Sequence, residues 1–126
     1  MGAFNTETTY VGWDGQGGST LMPVGPDFWQ TLATNPNGRG TLISAYTFEG
    51  DWTSWERHPK EGDEVVVCTA GAMTMMLEKP SGIERVALKA GDAVIVPANT
   101  WHTADVPSIS RGLFITFGEG TDHKPR

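Results

Sequence analysis

The sequence predicts a single all-β domain, either a sandwich or a closed barrel. Sixteen glycines and eight prolines in 126 residues favour many turns and short strands over long helices. From Thr41 onward, short runs rich in β-branched and aromatic residues alternate with turn-forming clusters, and no helical periodicity lies between them. A chain of this length can bury the core of one domain and is too short for two ordinary ones.

The first 40 residues differ from the rest and predict an irregular N-terminal arm. A glycine-rich stretch at 14–19 and a turn cluster at 34–38 flank one candidate helix, which contains Phe28 and Trp29 and has Asp27 as its N-cap. The apolar residues of this arm must be buried, either on the outside of the domain or on a second subunit. An arm of this kind can form an interface between two copies, so we expect a homodimer.

Eight strands are predicted within residues 41–118, ahead of a polar C-terminal tail at 119–126. Turn signals such as Gly50-Asp51 and Pro80-Ser81-Gly82 separate them. His123 lies in the tail and is expected to be a solvated bystander. The predicted strands are Leu42–Phe48, Thr53–His58, Glu64–Thr69, Ala72–Glu78, Ile83–Leu88, Ala93–Val96, His102–Val106 and Gly112–Phe117.

Charge and cysteine content narrow the possible partners. A net charge of −6 and a pI near 4.9 leave no basic footprint for nucleic acid and disfavour binding to an anionic membrane surface. The single cysteine, Cys68, excludes an internal disulfide and a zinc cage of thiolates. The N-terminus lacks the basic and apolar regions of a secretory signal. We therefore expect a cytoplasmic protein that binds a small molecule.

One predicted strand places a carboxylate and an imidazole side by side. Because successive side chains of a strand point to opposite faces, Glu56 and His58 share a face and form a two-ligand chelate. Trp52 lies on the same face and is expected to line a pocket there. Glu64 begins the next strand and can present a third ligand beside the pair. Cys68 shares the face of Glu64, so we also expect it at the pocket.

His102 is the fourth predicted ligand, provided that its strand pairs beside the others. Two imidazoles and two carboxylates suit Fe(II), Mn(II), Zn(II), Ni(II) or Cu(II), whereas sulfur ligands that would favour Cu(I) are missing from the set. We therefore predict that Glu56, His58, Glu64 and His102 bind a divalent transition metal. Glu56 or Glu64 can also act as a catalytic residue that moves a proton.

Two stretches resemble the two sequence motifs of the cupin superfamily. Residues 56–64, ERHPKEGDE, followed by Gly71, are similar to the first motif: His-x-His, three or four residues, Glu, six residues, Gly. Residues 91–102, GDAVIVPANTWH, are similar to the second: Gly, five residues, Pro-x-Gly, two residues, His. The resemblance covers about Thr41 to Phe117. It implies the fold of a small single-domain cupin, an antiparallel double-sheet jelly-roll barrel.

The sequence departs from these motifs at several positions. Glu56 stands in place of the first histidine, and one extra residue separates His58 from Glu64. In the second motif Asn99 replaces glycine. Val106 stands at the position of an asparagine that follows the motif histidine in the family. Three of the four predicted ligands therefore match the family pattern, whereas Glu56 can be a ligand, a supporting group or a general base.

The resemblance implies a range of metal-dependent enzymes, which includes dioxygenases, decarboxylases, sugar isomerases and epimerases, and lyases. Our first hypothesis is such an enzyme acting on a small polar organic molecule. The glutamate at position 56 disfavours a plain three-histidine dioxygenase site. A second hypothesis is a non-catalytic domain that binds or senses a small molecule. A third is a structural cupin that has lost its metal site.

Overall fold

The computed structural model describes residues 2–32, 40–58, 62–117 and 120–126. Within these ranges it contains the following elements: β1 Thr9–Trp13, β2 Ser19–Pro23, α1 Phe28–Leu32, β3 Thr41–Phe48, β4 Ser54–Arg57, β5 Glu64–Ala70, β6 Ala72–Lys79, β7 Gly82–Lys89, β8 Ala93–Val96, β9 His102–Asp105, β10 Ser110–Phe117 and β11 Asp122–Pro125. None of the helices in this part of the chain is long and apolar enough to cross a membrane.

The strands form two antiparallel sheets. The first has six strands in the order β2-β1-β3-β10-β5-β8, and the second has five in the order β11-β4-β9-β6-β7. No strand pairing joins the two sheets within the described ranges. The predicted all-β jelly roll is therefore confirmed, but as two facing sheets rather than a cylinder closed by hydrogen bonds.

The main core lies between the two sheets. Val66 and Phe114 contribute to it from the six-stranded sheet, and Met75, Leu77 and Ala104 contribute from the five-stranded sheet. Burial alternates along β5, as expected for a strand with one face on the core. Burying a side chain the size of leucine stabilises the fold by about 1.5–3 kcal/mol, so this layer holds the sheets together.

All eight predicted strands are present, and their ends differ from the predicted ends by at most two residues. The turn glycines explain this agreement. Gly71, between β5 and β6, has a φ of 74°, a left-handed conformation that is open to glycine at little cost. A side chain there would also meet Ser110, because an added Cβ would lie 2.4 Å from its Oγ.

The N-terminal arm is more regular than the sequence indicates. β1 and β2 pair as a hairpin, and β1 also pairs with β3, so the arm extends the six-stranded sheet. The helix α1 begins at Phe28, directly after the expected N-cap Asp27. Tyr10, Met22, Phe28 and Leu42 form a second apolar cluster. Tyr10, Met22 and Phe28 of the arm are thus buried on the same chain, whereas Trp29, which was also expected to be buried, is 55% exposed. The homodimer stays a prediction.

The C-terminal tail also differs from the expectation, because β11 pairs with β4 at the edge of the five-stranded sheet. Ion pairs hold this short polar strand in place. Arg57 contacts Asp122 at 2.8 Å, and Arg126 contacts Asp105 at 2.6 Å. The Nζ atom of Lys124 lies 4.6 Å from the ring centre of Trp101. Cation–π and charge contacts of this kind replace the apolar pattern that usually identifies a strand.

Candidate metal centre

The inward face of β4 and the residues around it line a cavity of about 900 Å³. Trp52, Ser54, Glu56 and His58 all line it, as their alternation along the chain predicts. Other lining residues come from β3, β5 and β10 of the opposite sheet, Glu64 among them. The cavity therefore lies between the two sheets, at one end of the apolar core.

Cross-strand pairing brings His102 beside Glu56, next to this cavity, although His102 itself does not line it. β4 pairs with β9 through Glu56 opposite His102, and the His102 side chain is fully buried. Glu56, His58 and His102 each offer one ligand atom, and these three atoms lie within 4.8 Å of one another. Metal–ligand bonds to nitrogen and oxygen are about 2.0–2.2 Å long, so the spacing is compatible with ligands of one shared ion.

Glu64 joins the two imidazoles from the opposite sheet. Its Oε2 lies 3.1 Å from His58 Nε2, and its Oε1 lies 3.2 Å from His102 Nε2. The hydroxyl of Thr116, which is opposite Glu64 on β10, donates a hydrogen bond of 2.6 Å to Oε2. The structure thus places all four predicted ligands together, although Glu64 is not one of the compact group of three.

The Nδ1 atom of each imidazole, which points away from Glu64, has its own partner. His102 Nδ1 donates to the carbonyl oxygen of Thr100 at 2.9 Å, and His58 Nδ1 lies 3.0 Å from the hydroxyl of Thr121. Partners on one ring nitrogen fix the orientation of the ring and leave the other nitrogen for a metal. Both Nε2 atoms consequently face Glu64.

Five buried side-chain nitrogen and oxygen atoms lack a hydrogen-bond partner in the described part of the chain. Three of them belong to this cluster: His58 Nε2, His102 Nε2 and Glu64 Oε1. Glu64 lies within ion-pair distance of both imidazoles, but none of these contacts has hydrogen-bond geometry. In metal-free protein only their charges can pair these atoms, and a divalent cation bound by them would take the place of that pairing. Imidazole nitrogen with carboxylate oxygen suits Fe, Mn, Zn, Ni or Cu.

The charges of the cluster are coupled. Burial by itself would raise the pKa of Glu64, but the His102 and His58 imidazoles outweigh burial and bring the pKa to about 2. Burial by itself would lower the pKa of His58, but Glu64 and then Glu56 outweigh it, so this pKa lies above its ordinary value. Without a metal, an ionised Glu64 therefore faces a His58 that readily holds a proton, and metal binding must displace that proton.

Cys68 does not line this cavity. It shares the inward face of β5 with Glu64, as expected, but it lies deeper in the apolar core, where its side chain is fully buried. Its Sγ lies 3.4 Å from the carbonyl oxygen of Ala70, and burial raises the pKa of the thiol. The face was predicted correctly, but the sequence does not show how far the cavity extends along the strand.

Two residues of β11 and the turn before it belong to the site, although the sequence did not indicate them. Thr121 contacts His58, as described above, and His123 Nε2 lies 3.5 Å from Glu56 Oε1. Both residues line the cavity. The side chain of His123 is 57% exposed, in agreement with the expected solvated residue. Its contact with Glu56 was not expected. Thr121 and His123 are two residues apart, and this spacing, which places two side chains on one face of a strand, is the only sign of the site in the tail sequence.

Sequence comparison assigns the fold to a family. The Cupin domain family matches residues 47–116, more than half of the 126 residues. The chain belongs to the cupin family. Comparison with curated proteins yields no match.

Solved structures with this cupin fold share little sequence with the chain. A cupin superfamily protein from Desulfitobacterium hafniense DCB-2 has a TM-score of 0.53 and 20% identity, covering 64% of this chain and 69% of that protein. Hydroquinone 1,2-dioxygenase from Sphingomonas sp. TTNP3 has a TM-score of 0.53 and 17% identity, and the match covers 64% of this chain and 60% of that protein. A mutant of Bacillus subtilis oxalate decarboxylase has a TM-score of 0.60 and 18% identity, and the match covers 74% of this chain and 26% of that protein. At these identities the likeness concerns the fold alone.

The structure also explains one departure from the cupin motifs. Asn99, which stands in place of the glycine of the second motif, has a φ of 58° and is the one described non-glycine residue with positive φ. Asparagine adopts this left-handed conformation more readily than other non-glycine residues. Its backbone N–H donates to the carbonyl oxygen of His58 at 3.1 Å. The turn that the motif glycine would form is therefore retained beside the metal centre.

Proposed function

We propose that this cupin binds one divalent transition metal through Glu56, His58, Glu64 and His102, and that it is an enzyme acting on a small polar organic molecule. One observation supports the proposal most strongly. Two imidazole nitrogens and a carboxylate oxygen, all buried and without hydrogen bonds, converge beside a cavity large enough for a small molecule. Enzymes, among them a dioxygenase and a decarboxylase, are also found among proteins with the same fold.

All four residues would hold the metal, and one of them can also reach a substrate. The side chain of Glu64 is 5% exposed and that of His102 is fully buried, so both are suited to metal binding. A bound cation would supply Lewis-acid polarisation of a substrate oxygen. The side chain of Glu56 is 34% exposed and lines the cavity. We therefore assign to Glu56, rather than to Glu64, the transfer of a proton to or from a substrate.

Metal uptake by the purified full-length chain tests this proposal. Protein freed of metal by a chelator is dialysed separately against Mn(II), Zn(II), Ni(II), Cu(II) and, without oxygen, Fe(II), and bound metal is measured by elemental analysis. We expect one equivalent in the wild type and a loss of uptake in His58→Ala and His102→Ala. Glu84→Gln is the matched control, because Glu84 is an exposed carboxylate on β7, at the opposite edge of the sheet from β11.

The same experiment separates the metal-binding proposal from the hypothesis of a structural cupin without a metal site. If the wild type takes up none of these metals, the structural cupin without a metal site is correct and the proposal is wrong. If His58→Ala and His102→Ala retain full uptake, the assigned ligands are wrong. Because His102 is fully buried and its variant can misfold, circular dichroism is measured on each sample, and the half-buried His58 gives the decisive comparison.

A further inference from the structure

We propose that the cavity beside the metal centre binds an uncharged aromatic ring that carries a hydroxyl group, that is, a phenol-type molecule. This inference names a substrate class for the site proposed above and so rests on that proposed function. Three features of the cavity lead to it: its aromatic wall, the charge of its lining and one buried N–H group. Each of them restricts the ligand in a different way.

The first feature is a continuous aromatic wall. Tyr46, Phe48, Trp52 and Phe114 all line the cavity. Their rings contact one another, with centroids 5.4 Å apart for Phe48 and Trp52 and 5.9 Å apart for Trp52 and Phe114. Phe48 and Trp52 are only half-buried, so part of each ring is available to a ligand. Aromatic pairs in stacked or edge-to-face contact gain free energy beyond that of apolar burial, which favours a flat aromatic ligand over an aliphatic one.

The second feature is the charge of the lining. Four carboxylate residues line the cavity, namely Glu49, Asp51, Glu56 and Glu64. The described lining contains no lysine or arginine. Carboxylate and phosphate ligands are usually held by the guanidinium of arginine or the ammonium of lysine. A bound divalent cation would offset two of these four negative charges. An anionic substrate would still meet repulsion from Glu49 and Asp51 and no lysine or arginine to hold it, which disfavours an anionic ligand.

The third feature is the indole N–H of Trp52. This nitrogen is buried, and it lacks a hydrogen-bond partner among the described residues. The indole ring is in edge contact with the imidazole of His102, with centroids 6.2 Å apart, so it adjoins the metal centre. Because this nitrogen is buried, a ligand oxygen must displace the side chains that cover it before it can accept a hydrogen bond from the N–H. An ammonium group cannot accept that hydrogen bond at all, because it has no lone pair. A hydroxyl on an aromatic ring satisfies all three restrictions.

Binding of four simple probes to the full-length chain tests the inference. Phenol is compared with cyclohexanol, which keeps the hydroxyl without the aromatic ring, with benzoate, which is anionic, and with benzylamine, which is cationic. Affinities are measured by calorimetry or ligand-detected NMR, on metal-loaded and on metal-free protein. We expect phenol to bind at least about tenfold more tightly than each other probe, since ring contacts and one hydrogen bond contribute separately.

Two variants relate this selectivity to the proposed contacts. Trp52→Phe keeps the ring and removes the N–H, so phenol affinity should fall about three- to tenfold. Phe48→Leu keeps apolar volume and removes a ring, and a loss of about two- to tenfold is expected. Trp55→Phe is the matched control, because Trp55 lies on the opposite face of β4 and contacts Lys124; its phenol affinity should equal that of the wild type.

The results separate this inference from the proposed function. The substrate class is wrong if cyclohexanol, benzoate or benzylamine binds as tightly as phenol. It is also wrong if both Trp52→Phe and Phe48→Leu bind phenol like the wild type. Metal uptake is measured on the same samples. If the protein holds its metal but does not prefer phenol, only the substrate class is wrong. If the protein takes up no metal, the proposed function is wrong.

Discussion

Replacing Thr121 with valine tests whether the C-terminal segment takes part in the metal centre. The Thr121 hydroxyl lies 3.0 Å from His58 Nδ1 and helps to direct Nε2 of that ring toward Glu64. Losing such a partner of a metal-binding histidine typically lowers metal affinity by about 10- to 100-fold. Thr121 is exposed, so water can take the place of the hydroxyl. We therefore expect the lower end of that range, about tenfold or ~1.4 kcal/mol.

Calorimetric titration of Zn(II) into metal-free protein measures this difference. Thr121→Ser keeps a hydroxyl and should restore most of the affinity. Glu84→Gln, which changes an exposed carboxylate on the far edge strand β7, should bind zinc like the wild type. The free energy of unfolding of metal-free Thr121→Val should change by less than about 0.5 kcal/mol, as is usual for an exposed position. Equal zinc affinities of Thr121→Val and the wild type would refute the assigned role of this contact.

Three further predictions concern stability and assembly. Folding lowers the pKa of Glu64 from 4.5 to about 2. In metal-free protein the ionised Glu64 therefore contributes roughly 3 kcal/mol of stability above pH 4.5, and this contribution is lost as the pH falls toward 2. Urea unfolding at several pH values should show that Glu64→Gln lacks this acid-dependent part, and an unchanged pH profile would contradict the coupling. Asn99→Gly should match or slightly exceed the wild type in thermal unfolding, whereas Asn99→Val should lose about 1–2 kcal/mol because its φ of 58° is strained for a β-branched residue. Sedimentation at micromolar concentration should show a homodimer, and a purely monomeric sample would exclude the predicted interface.

The sequence was sufficient to predict the strands of the main domain and the inward face of β4. Both follow from local rules: glycine turns bound the strands, and alternation places Trp52, Glu56 and His58 on one side. The position of His102 next to Glu56 depended on strand pairing. Alternation cannot supply this pairing, but the resemblance to the second cupin motif pointed to it.

Other parts of the site could not be predicted, for a physical reason. β11 has the polar sequence DHKP and contains no strand pattern. Its place at the edge of the sheet depends on charge contacts with residues far away in the chain, such as that between Arg126 and Asp105. Contacts of this kind have no local signature. His123 and Thr121 therefore looked like tail residues, although both lie beside the metal centre.

The N-terminal hairpin was missed for a related reason. β1 and β2 are five residues each, and the glycine-rich segment between them resembles a flexible linker. Pairing with β3 supplies the hydrogen bonds and the apolar surface that stabilise the hairpin. A two-stranded hairpin alone is marginal in water, so its formation depends on the sheet that it joins.

The central claim is that Glu56, His58, Glu64 and His102 surround one metal ion. X-ray absorption spectroscopy of protein loaded with one equivalent of Zn(II) tests it most directly. The result predicted here is a shell of nitrogen and oxygen at about 2.0–2.2 Å, with the outer scattering of two imidazoles and no sulfur. A sulfur neighbour near 2.3 Å, which would point to Cys68, or a spectrum without imidazole scattering would contradict the claim.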